Sequence, residues 1–272
     1  MRVVVQNLFG RRAEWPKRRA ALQAVLEQLQ PDLAAFPESI VTDEYDQVRD
    51  LLGPSYNIAH QREREPGDGD DVEAGQGHSI ASRWPLEGVR ELDLHVTPST
   101  VGFACGLITA EIEAPEPIGR VLFAYHNPSW QPSFAYEREL QATAAARFLE
   151  DRAGSREVHV VLAADLDADP ESASARFWTG RQSLEGMSVC YRDAWESRHP
   201  GEPGHTFGVP DNPLGVDWDW PFRRIDYVFV RCGEHGGPTL EIKSCELIFD
   251  KPVDGVWGSD HFGVVADLEP PS

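Results

Sequence analysis

No apolar run in the 272 residues approaches the roughly 20 that a bilayer-spanning helix needs. The chain opens on Met1-Arg2 and passes straight into "VVVQNLF", without the charged start, apolar stretch and small-residue cleavage site of a secretory leader. A cytoplasmic protein is the expectation. Four cysteines, Cys105, Cys190, Cys232 and Cys245, show no CxxC and no finger-like spacing, so buried free thiols are expected and a zinc finger is excluded. Basic residues are scarce beside acidic ones, 25 against 45, for a formal charge of −20. Broad, non-specific grip on nucleic acid needs Lys and Arg to neutralise phosphates, and that charge weakens it without excluding a local basic patch. No GxSxG elbow and no GxxxxGK[ST] loop occurs, which removes the serine-hydrolase and P-loop readings.

What is present alternates between strand and helix signals without a repeat. "RVVVQNLF" is rich in β-branched residues, as for a strand covered on both faces. A helix is predicted from about Pro16 to Gln30, with Leu22, Val25, Leu26 and Leu29 on one face and Pro31 ending it. "DLAAF" is the next strand. From Gln61 to Gly77 the chain is polar and Gly-rich and reads as a mobile loop. Pattern resumes at "HSIASRWPL", with strands near residues 101–112 and 120–125 and a helix over 136–150. "EVHVVLAADL" is a buried strand. An irregular, aromatic-rich region to about residue 221 precedes "RIDYVFV", a strand around 240–248, and "FGVVADL". Nothing in composition breaks the chain, so one domain spanning 1–272 is expected.

Acids and amides collect where these strands end: Asn7, Glu38, His126, Asp165, Asp167, Asp226 and Asp260-His261. In α/β sheets, sites form where strand ends and loops meet. Each residue alone has a plainer reading. An acid at a strand end is usually a turn or helix cap, Asp226 is as readily a partner of Arg223 or Arg224, and His126 a core histidine. Their number and order change that balance.

The succession Asn7, "FPES", "SRWPL", "YHNPS", "AADLDADP", "RRIDYVFV" and "GSDHFGVVADL" resembles the endonuclease/exonuclease/phosphatase superfamily, the DNase I-like group of divalent-metal phosphohydrolases, from end to end. The resemblance implies an α/β (α+β), four-layer α-β-β-α sandwich, with two mixed sheets face to face and helices outside. It implies Mg²⁺ or Mn²⁺, with Glu38 the principal ligand, Asn7 beside it and Asp260 nearby. Asp165 matches the acid that orients or activates water, His126 the histidine that contacts the phosphate, His261 the histidine of the last motif, and Asp226 the carboxylate that holds it. Three positions depart from the pattern. Pro37 stands where Gln precedes the Glu, Asp167 where Asn is usual, and Phe9 where some members carry a further acid.

The residue types suit phosphate-ester hydrolysis. A hard cation neutralises charge on the phosphoryl oxygens, and Mg²⁺ is satisfied by one or two carboxylates and an amide. A carboxylate behind His261 fixes its tautomer and raises its pKa, leaving it as base or as charged stabiliser. Asp167, His205 and Arg223 are candidate substrate contacts, and Trp195, Trp218 and Trp220 are either packing or a platform for a ring. A phosphorylated small molecule is the expected substrate. Nucleic acid stays open but is not favoured by the charge. A catalytically silent binding protein is disfavoured by the retained acids, and a sphingomyelinase-like lipid diesterase by the lack of an evident apolar loop. No membrane partner and a monomer are expected.

Overall fold

The computed structural model describes residues 1–62, 65, 73–102, 104–154, 158–215 and 220–271. Its first sheet contains β1 (Arg2–Val5), β2 (Leu33–Ile40), β3 (Asn57–His60), β4 (Gln76–Ser82), β11 (Glu241–Ile248) and β12 (Gly263–Glu269), in the order β11-β12-β1-β2-β4-β3. Its second contains β5 (Glu87–Asp93), β6 (Gly106–Ala114), β7 (Gly119–Asn127), β8 (His159–Asp165), β9 (Tyr191–Asp193) and β10 (Asp226–Arg231), in the order β5-β6-β7-β8-β10-β9. Each sheet is mixed, with one parallel pair at its centre: β1 with β2, and β7 with β8.

Strand alternation builds three apolar layers. Val121, Phe123 and Tyr125 of β7 face Val3, Val5, Leu33 and Ile80 of the other sheet, forming the core between the sheets. Leu122 and Ala124 face outward, under α3 (Ala135–Ala153) and α4 (Ala173–Trp178). On the other outer face, α1 (Trp15–Leu29) and α2 (Gln47–Leu52) cover Val4, Ala34, Phe36 and Val265. This is the expected four-layer sandwich, and its long strands are continuous apolar runs because both faces are covered.

Differences fall where periodicity is weak. The strand expected from residue 101 begins at Gly106, because Pro98–Thr100 form a 3₁₀ turn. The edge strand β5 is largely exposed and carries no apolar alternation, so no pattern announces it. α4, β9 and α5 (Ala194–Arg198) occupy the region read as irregular, being too short to show a period. Residues 63–64 and 66–72 of the predicted loop lie outside the described residues, and its last residues, Gln76-Gly77, already belong to β4. All four cysteines are free, but only Cys105 and Cys245 are buried; Cys190 is exposed. No helix among the described residues is long and apolar enough to cross a membrane.

Candidate active site

At Glu38 the strand β2 breaks its regular pairing. The register to β4 shifts between Phe36 and Ser39, and Glu38 itself has φ 53°, in the left-handed region. Such a bulge re-aims a side chain that a regular strand would bury, and here it leaves Glu38 a quarter exposed. Asn7, just past β1 and buried, joins it to the second sheet. The Asn7 amide donates to Glu38 Oε1 and to Asp165 Oδ2, both at 3.1 Å, while its Oδ1 accepts the Phe9 N–H at 2.8 Å. Arg12 reaches Glu38 Oε2 at 3.3 Å.

The second half of the site follows from register. Asp165 ends β8 and Asp226 begins β10, and the antiparallel pairing sets the two directly opposite. His261, on the loop before β12, lies with Nδ1 2.9 Å from Asp226 Oδ2 and 3.9 Å from Asp165 Oδ2. The ring rests on Phe207, with centroids 4.7 Å apart. Burial and the neighbouring Asp226 and Asp167 push the Asp165 carboxyl well above the ordinary carboxylate range. Burial lowers the His261 pKa, but Asp226, Asp165 and Asp260 outweigh it and carry the imidazolium well above its usual 6.5. With Nδ1 turned to Asp226, Nε2 is the nitrogen left for chemistry. The plainer reading of Asp226 fails: Arg224 pairs with Asp193 at 2.7 Å, and Arg223 lies 3.6 Å from Asp169.

Asp260 is almost fully buried and accepts from Ser259 Oγ at 3.1 Å. Burial raises its carboxyl to about 6, with Glu38 adding repulsion and His261 opposing. Asp167 also stands at about 6, raised by burial and opposed by Arg223, His261 and Arg138. Arg223 donates to the Asp167 carbonyl at 2.6 Å. An ionisable acid at position 167, where the family's amide is usual, is therefore matched by two guanidinium groups.

The structure does not bring His126 to this cluster. In β7, Tyr125 and His126 point to opposite faces, and the His126 ring packs on Trp178, 5.8 Å between centroids, in the layer under α4. It is fully buried, and burial lowers its pKa to about 3, the Gly106 backbone giving only weak relief. Neither ring nitrogen makes a full hydrogen bond. His126→Leu is therefore expected to leave turnover within about twofold of the native value and stability unchanged or higher, since it removes a buried imidazole that the Gly106 backbone satisfies only in part. A steady-state assay with thermal unfolding checks this; a hundredfold loss of rate in a folded variant would restore His126 to the site.

Its neighbours Tyr125 and Asn127 face the cluster instead. Asn127 donates to the Asp165 carbonyl at 3.2 Å and leaves its own Oδ1 buried without a partner. The buried Tyr125 hydroxyl has no hydrogen-bond partner; burial and then the charges of Asp165, Asp226, Asp167 and Glu38 raise its pKa. Counting strand alternation from Asp165 back across the parallel β7 pairing was the signal that would have found them. His205 lines a separate cavity of about 320 Å³ with Asp169, His199, Phe222 and Arg224, its pKa lowered by burial. Trp195 is packing, stacked on His199 at 4.1 Å. Trp220 is 43% exposed with Arg223 against its ring at 4.4 Å, and Trp218 lies outside the described residues. Ser79, His60 and Asp46 form a hydrogen-bonded series at 2.8 and 3.0 Å, but Ser79 is wholly buried and out of reach of a substrate.

The donors suit a hard divalent cation. Among the described residues, Asp165, Asp226 and His261 are the group whose ligand atoms gather within 4.8 Å, and one oxygen of each aspartate is buried without a partner. With Glu38, Asn7 and Asp260 alongside, the set is rich in oxygen, the ligand type a hard divalent cation takes.

Two face-packed mixed sheets with acids, an amide and a histidine meeting at their central strand ends define the DNase I-like class of phosphoesterase folds. The chain belongs to the endonuclease/exonuclease/phosphatase family, whose pattern matches residues 5–261 and whose members are hydrolases of phosphoric esters. The human Nocturnin catalytic domain superposes with a TM-score of 0.75 at 18% identity, over 100% of this chain and 94% of that one. A mannosyl-6-phosphatase from Bacteroides thetaiotaomicron gives 0.71 at 16%, over 98% and 99%. In sequence, the chain is 30% identical over 136 residues to a putative neutral sphingomyelinase of Drosophila melanogaster. That match spans 48% of this chain and 28% of the relative.

Proposed function

We propose that the protein is a Mg²⁺- or Mn²⁺-dependent hydrolase of a small phosphorylated compound, a phosphodiesterase or phosphomonoesterase that uses water as nucleophile. The supporting observation is the bridge that Asn7 makes between Glu38 and Asp165, with Asp226 and His261 directly beside it. Glu38, Asn7 and Asp260 would hold the ion, which when bound neutralises charge on the phosphoryl oxygens. In its ionised form, which a bound cation would favour against the burial and the Asp226 and Asp167 charges that raise its pKa, Asp165 orients water and accepts its proton. His261 offers Nε2–H to a phosphoryl oxygen, and Asp226 keeps its ring charged and aligned. Asn127 and the Tyr125 hydroxyl supply further polar contacts, while Arg223 and Asp167 flank the substrate.

The small-substrate assignment rests on charge. The net −20 opposes long polyanions, and Arg12, Arg138 and Arg223 are each engaged with protein carbonyls or carboxylates rather than forming an open track. A second reading, a lipid phosphodiesterase, is favoured by the sphingomyelinase match and by exposed Val101 and Tyr136. These stand on a turn and a helix start joined by the Ser99 Oγ to Glu137 Oε1 bond of 3.1 Å. Assays on bis(p-nitrophenyl) phosphate, p-nitrophenyl phosphate, plasmid DNA, a short RNA and sphingomyelin vesicles rank the readings. A p-nitrophenyl ester is expected to lead. DNA, RNA or sphingomyelin turned over a hundredfold better would replace it with the corresponding reading.

A further inference from the structure

Arg18 is charged, yet only 1% exposed, and among the described residues its side chain hydrogen-bonds to main-chain carbonyls rather than to a carboxylate. It rises from the first turn of α1 into the floor of the site. Its guanidinium donates to the carbonyls of Leu8, Gly10 (3.4 Å) and Arg12 (2.7 Å) on one side, and of Gly258 (3.1 Å) on the other. Four of the five N–H groups of the planar fork are thus spent on main chain, from two segments some 250 residues apart in sequence.

Both segments carry the proposed machinery. The first follows Asn7 directly and is hydrogen-bonded to the bulge of β2, Leu8 N–H to the Pro37 carbonyl at 2.9 Å and Gly10 N–H to the Glu38 carbonyl at 3.1 Å. The second leads into Ser259-Asp260-His261. The first segment is also strained. Phe9, Ala13 and Glu14 all have positive φ, at 55°, 48° and 54°, a conformation that residues with a Cβ seldom adopt. Strained backbone persists only where its surroundings over-determine it, and Arg18 holds three carbonyls of this stretch. Gln47 adds a fourth bond, to Gly10 at 2.7 Å.

We infer that Arg18 is a positioning residue that sets the spacing between Glu38 with Asn7 and Asp260 with His261, so that the two halves of the ion and phosphate site keep one geometry. Its charge also sits beside Asp260 and Glu38 and offsets part of their mutual repulsion. This rests on the reading proposed above. A lysine keeps the charge but, as a compact ammonium, cannot span four carbonyls in a plane; a methionine keeps the volume and loses both.

The test compares the full-length protein with Arg18→Lys and Arg18→Met. Mn²⁺ binding is read from the electron paramagnetic resonance of free Mn²⁺, together with kcat and KM on bis(p-nitrophenyl) phosphate and the melting temperature. The expected result for both variants, at temperatures where circular dichroism shows them folded, is a Kd for Mn²⁺ raised at least fivefold and kcat lowered at least tenfold, with KM for the ester within about threefold. The lysine variant recovers only part of the methionine loss. If Arg18→Met does not fold, Arg18→Lys decides alone. A lowered melting temperature with Mn²⁺ affinity and kcat both within twofold of native would reduce Arg18 to a packing residue and overturn the inference. Absence of Mn²⁺ binding and turnover in the native protein would strike instead at the functional reading beneath it.

Discussion

Replacing His261 by alanine lowers turnover by about 10²–10⁴-fold and leaves the sandwich folded, the range spanned by losing a positioned acid–base group. The ring is 6% exposed, with Nδ1 on Asp226, which leaves Nε2 as the nitrogen for chemistry. No other described side chain is placed to replace it, since His126 lies on the far face of β7 and His205 lines a different cavity. The same geometry predicts the sign of the pH response. Burial disfavours the cation, but Asp226, Asp165 and Asp260 hold the pKa well above 6.5. A charged His261 is therefore present through neutral pH and is lost only as pH climbs through the raised value. Activity should fall on the alkaline side, and that limb should vanish in the alanine variant. An acid-side limb tied to His261 would make the residue a base instead.

Asp165→Asn should separate stability from activity. Burial, then Asp226 and Asp167, raise the Asp165 pKa well above the ordinary 3.8. For a carboxyl with a raised folded-state pKa, ionisation is penalised in the folded state. Stability therefore declines as pH rises from about the unfolded value through the folded one, and remains lower above it. Asparagine removes that penalty and keeps an oxygen for the Asn7 amide, now 3.1 Å from Asp165 Oδ2. With chelator present, the variant should be more stable than the native protein at pH 8 by at least about 1 kcal/mol, or roughly 2–4 °C in Tm. The difference should shrink toward pH 4. Turnover should drop about a hundredfold or more, because an amide cannot accept the proton from water. A variant that melts lower than native at pH 8 would contradict the electrostatic account of the site.

The sequence exposed the fold through its long buried strands and the site through acids at their ends. Asp165 and Asp226 could be read because each ends or begins an apolar run, and the register then sets them opposite one another. Glu38 could be read from its motif, though not the left-handed bulge that turns it toward Asn7. At His126 the motif and the pleat diverge: motif matching fixes position along a strand, while alternation decides the face, and the ring packs on Trp178. That same step hid Tyr125 and Asn127. Arg18 left no trace in pattern, since a helix-borne arginine usually reads as a solvated face, and only the carbonyls around it reveal its burial. The short elements between residues 168 and 221 depend on tertiary contacts rather than on periodicity.

The most direct test is the dependence of bis(p-nitrophenyl) phosphate hydrolysis on added Mg²⁺ and then Mn²⁺, in the native protein and in Glu38→Ala. Glu38 is reachable from solvent and held by Asn7 and Arg12, so its loss should empty the ion site without unfolding the core. Turnover is expected to rise with the metal, saturate and be abolished by chelator, and to fall at least a hundredfold in Glu38→Ala. Metal-independent turnover, or an alanine variant as active as the native protein, would contradict it.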